Sequence, residues 1–346
     1  MWRSLKYQSP CETVQHATLY TGAKMPLVGL GTWLSVDPNG LKTALRAALD
    51  AGYRYIDTAH VYGNEGMIGD VLQEYFEDGR LKREDIFITT KLPFYHMEPL
   101  EAQNCIEEQL LALKTDYVDL YLIHHPCAMK PKDPTNPTVV IDSWIHEEIP
   151  HIDTWRVLER YYNAGVFKAI GLSNFNKKQI MNIYNNAEVK PANLQVECHI
   201  YWPQFELREL CKELGMTMTA YSSLGNPGRK ILGPNEYWPE GNVLEDLLVL
   251  KLAEKYARTP AQILLRHLTQ RGISVIPKST NARRVAENFN IFDFEITPED
   301  NKKLESVQKR VRLIEFRYCK GNKEYPFEDV DLDADLNELR AAQQAA

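Results

Sequence analysis

The chain has 346 residues, of which 44% are hydrophobic and 25% charged, enough apolar material for one large core, so a wholly disordered chain is excluded. A formal charge of −7 excludes non-specific nucleic-acid binding as a main role, because that binding runs on clustered Lys and Arg. No stretch approaches the roughly 20 apolar residues needed to span a bilayer, and the N-terminus has no apolar secretion core, so a soluble, unprocessed cytoplasmic protein is expected.

Residues 1–16 show no clear period and read as an irregular lead-in. Ala17 to Met25 reads as a hairpin turned at Thr21-Gly22, and Pro26 to Leu30 as the next strand. Leu41 to Ala51 has helical spacing and stops at Gly52. Strand 55–57, helix 66–76, strand 86–91, helix 99–113 and strand 117–123 follow. Residues 126–150 hold five prolines and read as a long irregular loop, a length that usually serves function.

The alternation then resumes with helix 154–163, strand 167–172, helix 177–186, strand 194–196, helix 206–214 and strand 216–220. A second long segment, 225–241, precedes helix 244–256. Thr259-Pro260 has the form of a helix start, with helix 260–270 and a last strand at 273–276. Eight short apolar strands alternating with helices predict a closed (β/α)8 barrel at 17–328, with an acidic and then Ala/Gln-rich tail at 329–346 that carries no readable motif. A dinucleotide-binding open sheet would show G-x-G-x-x-G after its first strand; Gly29-Leu-Gly31-Thr-Trp33-Leu34 lacks the last glycine and opens no helix.

In such a barrel the C-terminal ends of the strands form the mouth where chemistry is done. Three strands end there on Asp57, leading to Tyr62, on Lys91, and on His124. A tyrosine phenol titrates near 10, too high for neutral acid–base work. A neighbouring lysine favours the phenolate, an aspartate fixes the lysine by an ion pair, and a histidine can orient a carbonyl oxygen. The four are therefore expected to form a carbonyl-reducing site that needs no metal. Taken singly, a strand-end Asp or Lys is more often a structural ion pair.

Gly52-Tyr-Arg-Tyr-Ile-Asp57, Tyr62-Gly-Asn-Glu, Lys91-Leu, Leu122-Ile-His124-His-Pro, Gly171-Leu-Ser-Asn174-Phe and Ile276-Pro-Lys-Ser279 together resemble the aldo-keto reductase superfamily, its aldose reductase-like branch most of all. The resemblance runs from about Leu19 to Phe327. It implies NADPH-dependent reduction of aldehydes or ketones, with Tyr62 as general acid, Lys91 and Asp57 tuning it, and His124 orienting the substrate. It further implies that Ser173, Asn174 and Gln195 hold the nicotinamide carboxamide while Tyr221 stacks on the ring. Lys278, Ser279 and Arg284 would meet a 2′-phosphate, helped by free N–H groups at the start of the following short helix, which favours NADP over NAD. Thr32, Trp33, Asp57, Ser222, Leu224, Glu287 and Asn288 complete the implied cofactor set. Trp33, Val61, Tyr62, Pro93, His124, His125 and Phe316 are the implied substrate contacts.

Two departures from the family bear on function. The lysine and aspartate that often latch over the pyrophosphate are replaced by Leu34 and Gly228, which suggests faster NADP exchange. Tryptophans common in the substrate pocket are replaced by Pro93 and His125, which suggests a wider, more polar pocket. The partner expected is a small carbonyl compound, with no nucleic acid or membrane, and the chain a monomer or weak oligomer. The other two readings are a barrel that binds NADPH without turnover, and a metal-dependent hydrolase built on His124, His125, His146 and His151. The six cysteines, Cys11, Cys105, Cys127, Cys198, Cys211 and Cys319, have no C-x-x-C spacing, so neither a zinc site nor a disulfide framework is expected. Cys319 is placed near the mouth as a redox-sensitive thiol or a small buried hydrophobe.

Overall fold

The computed structural model describes residues 15–35, 37–133, 144–232 and 237–345. The irregular lead-in is almost wholly outside them, as are Cys11 and the centre of the Pro-rich loop.

Strands β1 (His16–Thr18) and β2 (Lys24–Pro26) pair antiparallel, as the Gly22 turn predicted. The barrel then runs β3 (Leu30–Gly31), α1 (Pro38–Ala51), β4 (Tyr55–Asp57), α2 (Glu65–Glu77), β5 (Phe87–Leu92), α3 (Pro99–Leu113) and β6 (Leu120–Ile123). Next come β7 (Met129–Pro131) and β8 (Trp144–His146), then α4 (His151–Asn163), β9 (Ile170–Ser173), α5 (Lys177–Asn186), β10 (Asn193–Glu197), α6 (Phe205–Leu214) and β11 (Thr217–Tyr221). Helices α7 (Leu247–Tyr256) and α8 (Pro260–Thr269) precede β12 (Ser274–Val275), followed by α9 (Ala282–Phe289), α10 (Pro298–Glu305) and α11 (Leu336–Ala345).

Neighbouring strands in the order β3-β4-β5-β6-β9-β10-β11-β12 are parallel. The ring closes where Val28 bridges Val275 and their neighbours exchange hydrogen bonds, Gly29 N–H to Val275 O and Val275 N–H to Leu27 O. This is the (β/α)8 barrel that the alternation predicted. At the seam only glycine fits position 31, since a Cβ there would lie 2.4 Å from the Ile276 carbonyl oxygen.

Local sequence sets the boundaries. Asp37 caps α1 by accepting from the N–H groups of Asn39 and Gly40, and Gly52 ends it in the left-handed region at φ 104°. Thr259 and Gln262 form a capping box on α8, as Asn176 and Gln179 do on α5. The barrel interior is filled by Tyr55, Phe87, Leu120, Leu122, Ala169 and Ala192, and the β1–β2 hairpin seals one end with Leu19 and Met25. A larger core lies between strands and helices, with Leu45, Ile56, Ile88, Trp155, Leu172 and Val196 among its members.

Three expectations are corrected here. The Pro-rich 126–150 segment is not wholly irregular, because β7 and β8 pair antiparallel as a second hairpin. Strand β6 starts at Leu120, three residues later than the apolar run, since Val118 makes only an isolated bridge to Phe167. The Ala/Gln-rich tail forms α11, a composition of good helix formers that begins just after Asp335, whose carboxylate accepts from Asn337 N–H.

Candidate active site

A single cavity of about 1020 Å³ opens at the C-terminal ends of the strands. Asp57 closes β4, Lys91 lies near the end of β5, and His124 follows β6, so the expected four residues converge through strand geometry alone. The Lys91 Nζ donates to Asp57 Oδ1 at 2.7 Å and to the Thr58 carbonyl at 2.8 Å, and stands 3.4 Å from the Tyr62 hydroxyl. Gln195 Nε2 donates to the other carboxylate oxygen of Asp57 at 2.7 Å. Tyr62 and His124 face each other edge to face, ring centres 5.7 Å apart. Tyr62 is the last residue of a short 3₁₀ turn, His60–Tyr62, ended by Gly63 at φ 63°.

The charges here are buried, and burial decides their behaviour. Loss of solvent pushes Asp57 up and Lys91 down, while their mutual attraction and hydrogen bond oppose both shifts. The lowering of the Tyr62 phenol expected from Lys91 is opposed by its surroundings. Burial raises it well above its ordinary value, with the charge of Asp57 adding to the effect. Tyr62 is half-buried rather than enclosed, so water in the cavity moderates that push, but its direction keeps the proton on the phenol at neutral pH. His124 is driven well below its ordinary value, first by burial and then by the charges of Lys91 and His125, so its imidazole is neutral. Its Nδ1 is buried with no hydrogen-bond partner among the described residues.

Around this centre, Thr32 Oγ1 donates to the Asp57 carbonyl, and Asn64 spans Thr58 and the Thr32 carbonyl, tying the loops after β3 and β4 together. Asn174, at φ 64°, donates to the His124 carbonyl at 2.9 Å and accepts the Tyr221 hydroxyl at 2.7 Å. Behind Lys91 lies a buried polar network: Thr90 and Gln109 donate to Glu65, and Tyr121 donates to Gln109. Burial pushes the Glu65 carboxyl up to about 7, against those hydrogen bonds and the Lys91 charge.

Most of the expected cofactor residues reach the cavity. Thr32, Trp33, Asp57, Asn174, Gln195 and Tyr221 line it, as do Ser222, Leu224, Lys278, Ser279, Arg284, Glu287 and Asn288. Ser173 is buried behind Asn174, which donates to its hydroxyl, and stands outside the lining. The start of α9 offers fewer free N–H groups than expected, since Asn281 accepts from Arg284 N–H. Of the substrate set, Trp33, Val61, Tyr62, His124, His125 and Phe316 line the cavity, whereas Pro93 is buried and its neighbour Phe94 takes the wall. Phe94 packs against Trp144 at 4.9 Å and Tyr318 at 5.6 Å, so the aromatic wall is supplied by Phe94 and, from the C-terminal loop, Tyr318, with Trp144 of β8 packed against Phe94 outside the lining. Sequence reasoning missed Phe94, Tyr318, and Leu336 and Arg340 of α11. A non-polar residue adjoining Lys91-Leu-Pro was the available signal for the first.

The donor set fits a phosphate-bearing dinucleotide. Ser223 Oγ and Asn226 Nδ2 line the cavity, buried and without a hydrogen-bond partner among the described residues. Lys278, Ser279 and Arg284 add charge and hydroxyl to the same wall. Residues His124, His125, His146 and His151 do not converge on one point among the described residues, and His151 is engaged by the Pro126 carbonyl at 2.8 Å.

A parallel eight-stranded barrel with a buried Asp57–Lys91 pair beside Tyr62 and His124 at its mouth has the form of a carbonyl-reducing oxidoreductase. Residues 27–309 match the model of the aldo/keto reductase family, and the chain belongs to that family, whose members are NADP-dependent oxidoreductases acting on aldehydes and ketones. It is 43% identical to aldo-keto reductase family 1 member A1 of Bos taurus over 297 residues, 86% of this chain and 90% of the relative. It is 39% identical to family 1 member C15 of Rattus norvegicus, over 89% of this chain and 96% of the relative. The solved aldose reductase of Schistosoma japonicum superposes with a TM-score of 0.82 at 39% identity, over 91% of this chain and 99% of that one.

Proposed function

We propose that this chain reduces aldehydes or ketones with Tyr62 as the proton donor and NADPH as the reductant, in the cytosol. The carrying observation is the Lys91 ammonium, 2.7 Å from Asp57 and 3.4 Å from the Tyr62 hydroxyl, facing one large cavity. Bound NADPH supplies the hydride for the carbonyl carbon. Asn174 and Gln195 hold its carboxamide, Tyr221 offers a flat face, and Lys278, Ser279 and Arg284 meet the 2′-phosphate. His124, kept neutral, donates a hydrogen bond to the carbonyl oxygen. Tyr62 then delivers its proton to that oxygen, and Lys91 stabilises the phenolate left behind. Positioning supplies much of the rate.

The pocket is proposed to take bulkier or more hydrophilic carbonyls than a narrow aromatic one. His125 replaces a large apolar wall, and the ion pair of Glu315 and Arg317, at 2.6 Å, lines the same cavity. NADPH oxidation is to be followed against a panel of aldehydes, ketones and sugars, with Tyr62→Phe beside the wild type. The variant is expected to lose about 10²–10⁴-fold in kcat, as removal of a general acid does, while still quenching on NADPH binding. Tight NADPH binding by a wild type that turns over nothing in the panel would instead support a sensor or structural barrel.

A further inference from the structure

Outside the Asp57–Lys91–Tyr62–His124 centre, three side chains that ligate soft metals converge. His125 follows β6, Cys127 stands two residues on, and Cys319 ends the 3₁₀ turn Arg317–Cys319 of the C-terminal loop. One ligand atom from each lies within 4.8 Å of the other two, and all three residues are buried. We infer that His125, Cys127 and Cys319 form a site for a thiophilic divalent cation, of the Zn²⁺ type, in the wall of the substrate cavity.

The ligand set suits the ion. Two thiolates and an imidazole make three of four tetrahedral positions, and a Zn–S bond of about 2.3 Å with a Zn–N bond of about 2.0 Å sets ligand atoms roughly 3.5 Å apart. The observed spacing therefore closes with side-chain rotation. Nothing competes strongly for the imidazole. One ring nitrogen takes only a 3.2 Å bond from the Cys127 main-chain N–H, and the other is buried with no partner among the described residues. Access comes through the cavity, which His125 lines. Among the described residues no carboxylate joins the three, so the set favours a thiophilic ion over Mg²⁺ or Ca²⁺.

The consequence for catalysis follows from position. The Phe316 ring stands edge to face over His125 at 4.6 Å, and both line the cavity. A bound ion would tie the C-terminal loop to the end of β6 and fix both walls, so micromolar Zn²⁺ is expected to inhibit carbonyl reduction. Each cysteine thiol would release its proton to solvent as its sulfur binds the ion, with no change in oxidation state.

The test is a Co²⁺ titration of the full, reduced chain without NADPH or substrate, followed by displacement with Zn²⁺. One ion per chain is expected, with a tetrahedral d–d spectrum and a thiolate-to-cobalt charge-transfer band. Cys127→Ser and Cys319→Ser should each cut that band to half or less. Each should weaken binding by at least the 10–100-fold that loss of an outer-shell partner costs. Cys105→Ser should leave the band intact, although Cys105 lies with His60 and His96 in another group of ligand atoms. If either serine variant fails to fold, X-ray absorption of the Zn²⁺-loaded wild type decides, with two sulfurs at about 2.3 Å expected. No charge-transfer band, a band that survives loss of both cysteines, or fewer than two sulfurs would overturn the site.

Discussion

The Nζ of Lys91 lies 2.7 Å from Oδ1 of Asp57, and both side chains are fully buried. An ion pair in that position gains little net stability, because each charge has lost its water, but either partner alone becomes a liability. Asp57→Asn leaves a buried ammonium and is expected to destabilise by about 3–5 kcal/mol, as breaking buried pairs does. Asp57→Asn with Lys91→Met should recover most of that loss while remaining inactive. Urea unfolding of the single and double variants measures it; equal losses in both would mean the pair carries no coupling.

Glu65 gives the fold a pH dependence near neutrality. Its carboxyl, pushed up to about 7 by burial, binds its proton more tightly folded than unfolded, where it titrates near 4.5. Between those values the folded chain carries a proton that the unfolded chain has released, so stability falls as pH rises from about 4.5 to about 7. A rise of roughly 2.5 units corresponds to on the order of 3 kcal/mol from this group. Glu65→Gln keeps an oxygen to accept from Thr90 and Gln109 and should flatten that slope in unfolding curves taken at pH 5, 6 and 7. An unchanged slope would assign it to another group.

Cofactor choice is expected to reside in Lys278 and Arg284. Both line the cavity, and Arg284 makes no ion pair among the described residues that would hold it elsewhere. A hydrogen bond to a charged phosphate is worth about 1.5–3 kcal/mol, so Arg284→Ala or Lys278→Met should weaken NADPH binding by roughly 10–100-fold. NADH, which lacks the phosphate, should bind unchanged. Fluorescence titration with both nucleotides separates this from a general loss of the site, which would weaken them equally.

Much of this architecture was legible because the barrel imposes simple patterns. Strands buried on both faces read as apolar runs, and helices α3 and α5 begin and end where Pro99, Leu113, Lys177 and Asn186 indicated. The four expected site residues were readable because each stands at or just beyond a strand end. What was not legible depends on tertiary contact. Proline in Met129–Pro131 and around it hid a hairpin whose pairing sets Trp144 against Phe94 of the wall. Burial, not the neighbouring lysine, dominates the Tyr62 phenol, and sequence order carries no measure of burial. Cys127 and Cys319 share no spacing motif, because a strand end and a C-terminal loop bring them together.

Cofactor release should respond to rebuilding the missing latch. Leu34 and Gly228 line the same cavity, where relatives of this type often carry a lysine and an aspartate. Both positions accept the change sterically. Leu34 is already left-handed at φ 60°, so a lysine there adds no new backbone strain, and a Cβ at Gly228 meets nothing within 4 Å. Leu34→Lys with Gly228→Asp is therefore expected to fold as the wild type does. An ion pair at a solvent edge contributes up to about 1 kcal/mol, which corresponds to roughly fivefold slower NADPH release. Either single variant should show less than the pair, since one charge alone has no partner. Stopped-flow displacement of NADPH by excess NADP⁺ reads the rate directly. Equal rates in the wild type and the double variant would mean that other contacts, not this pair, limit exchange.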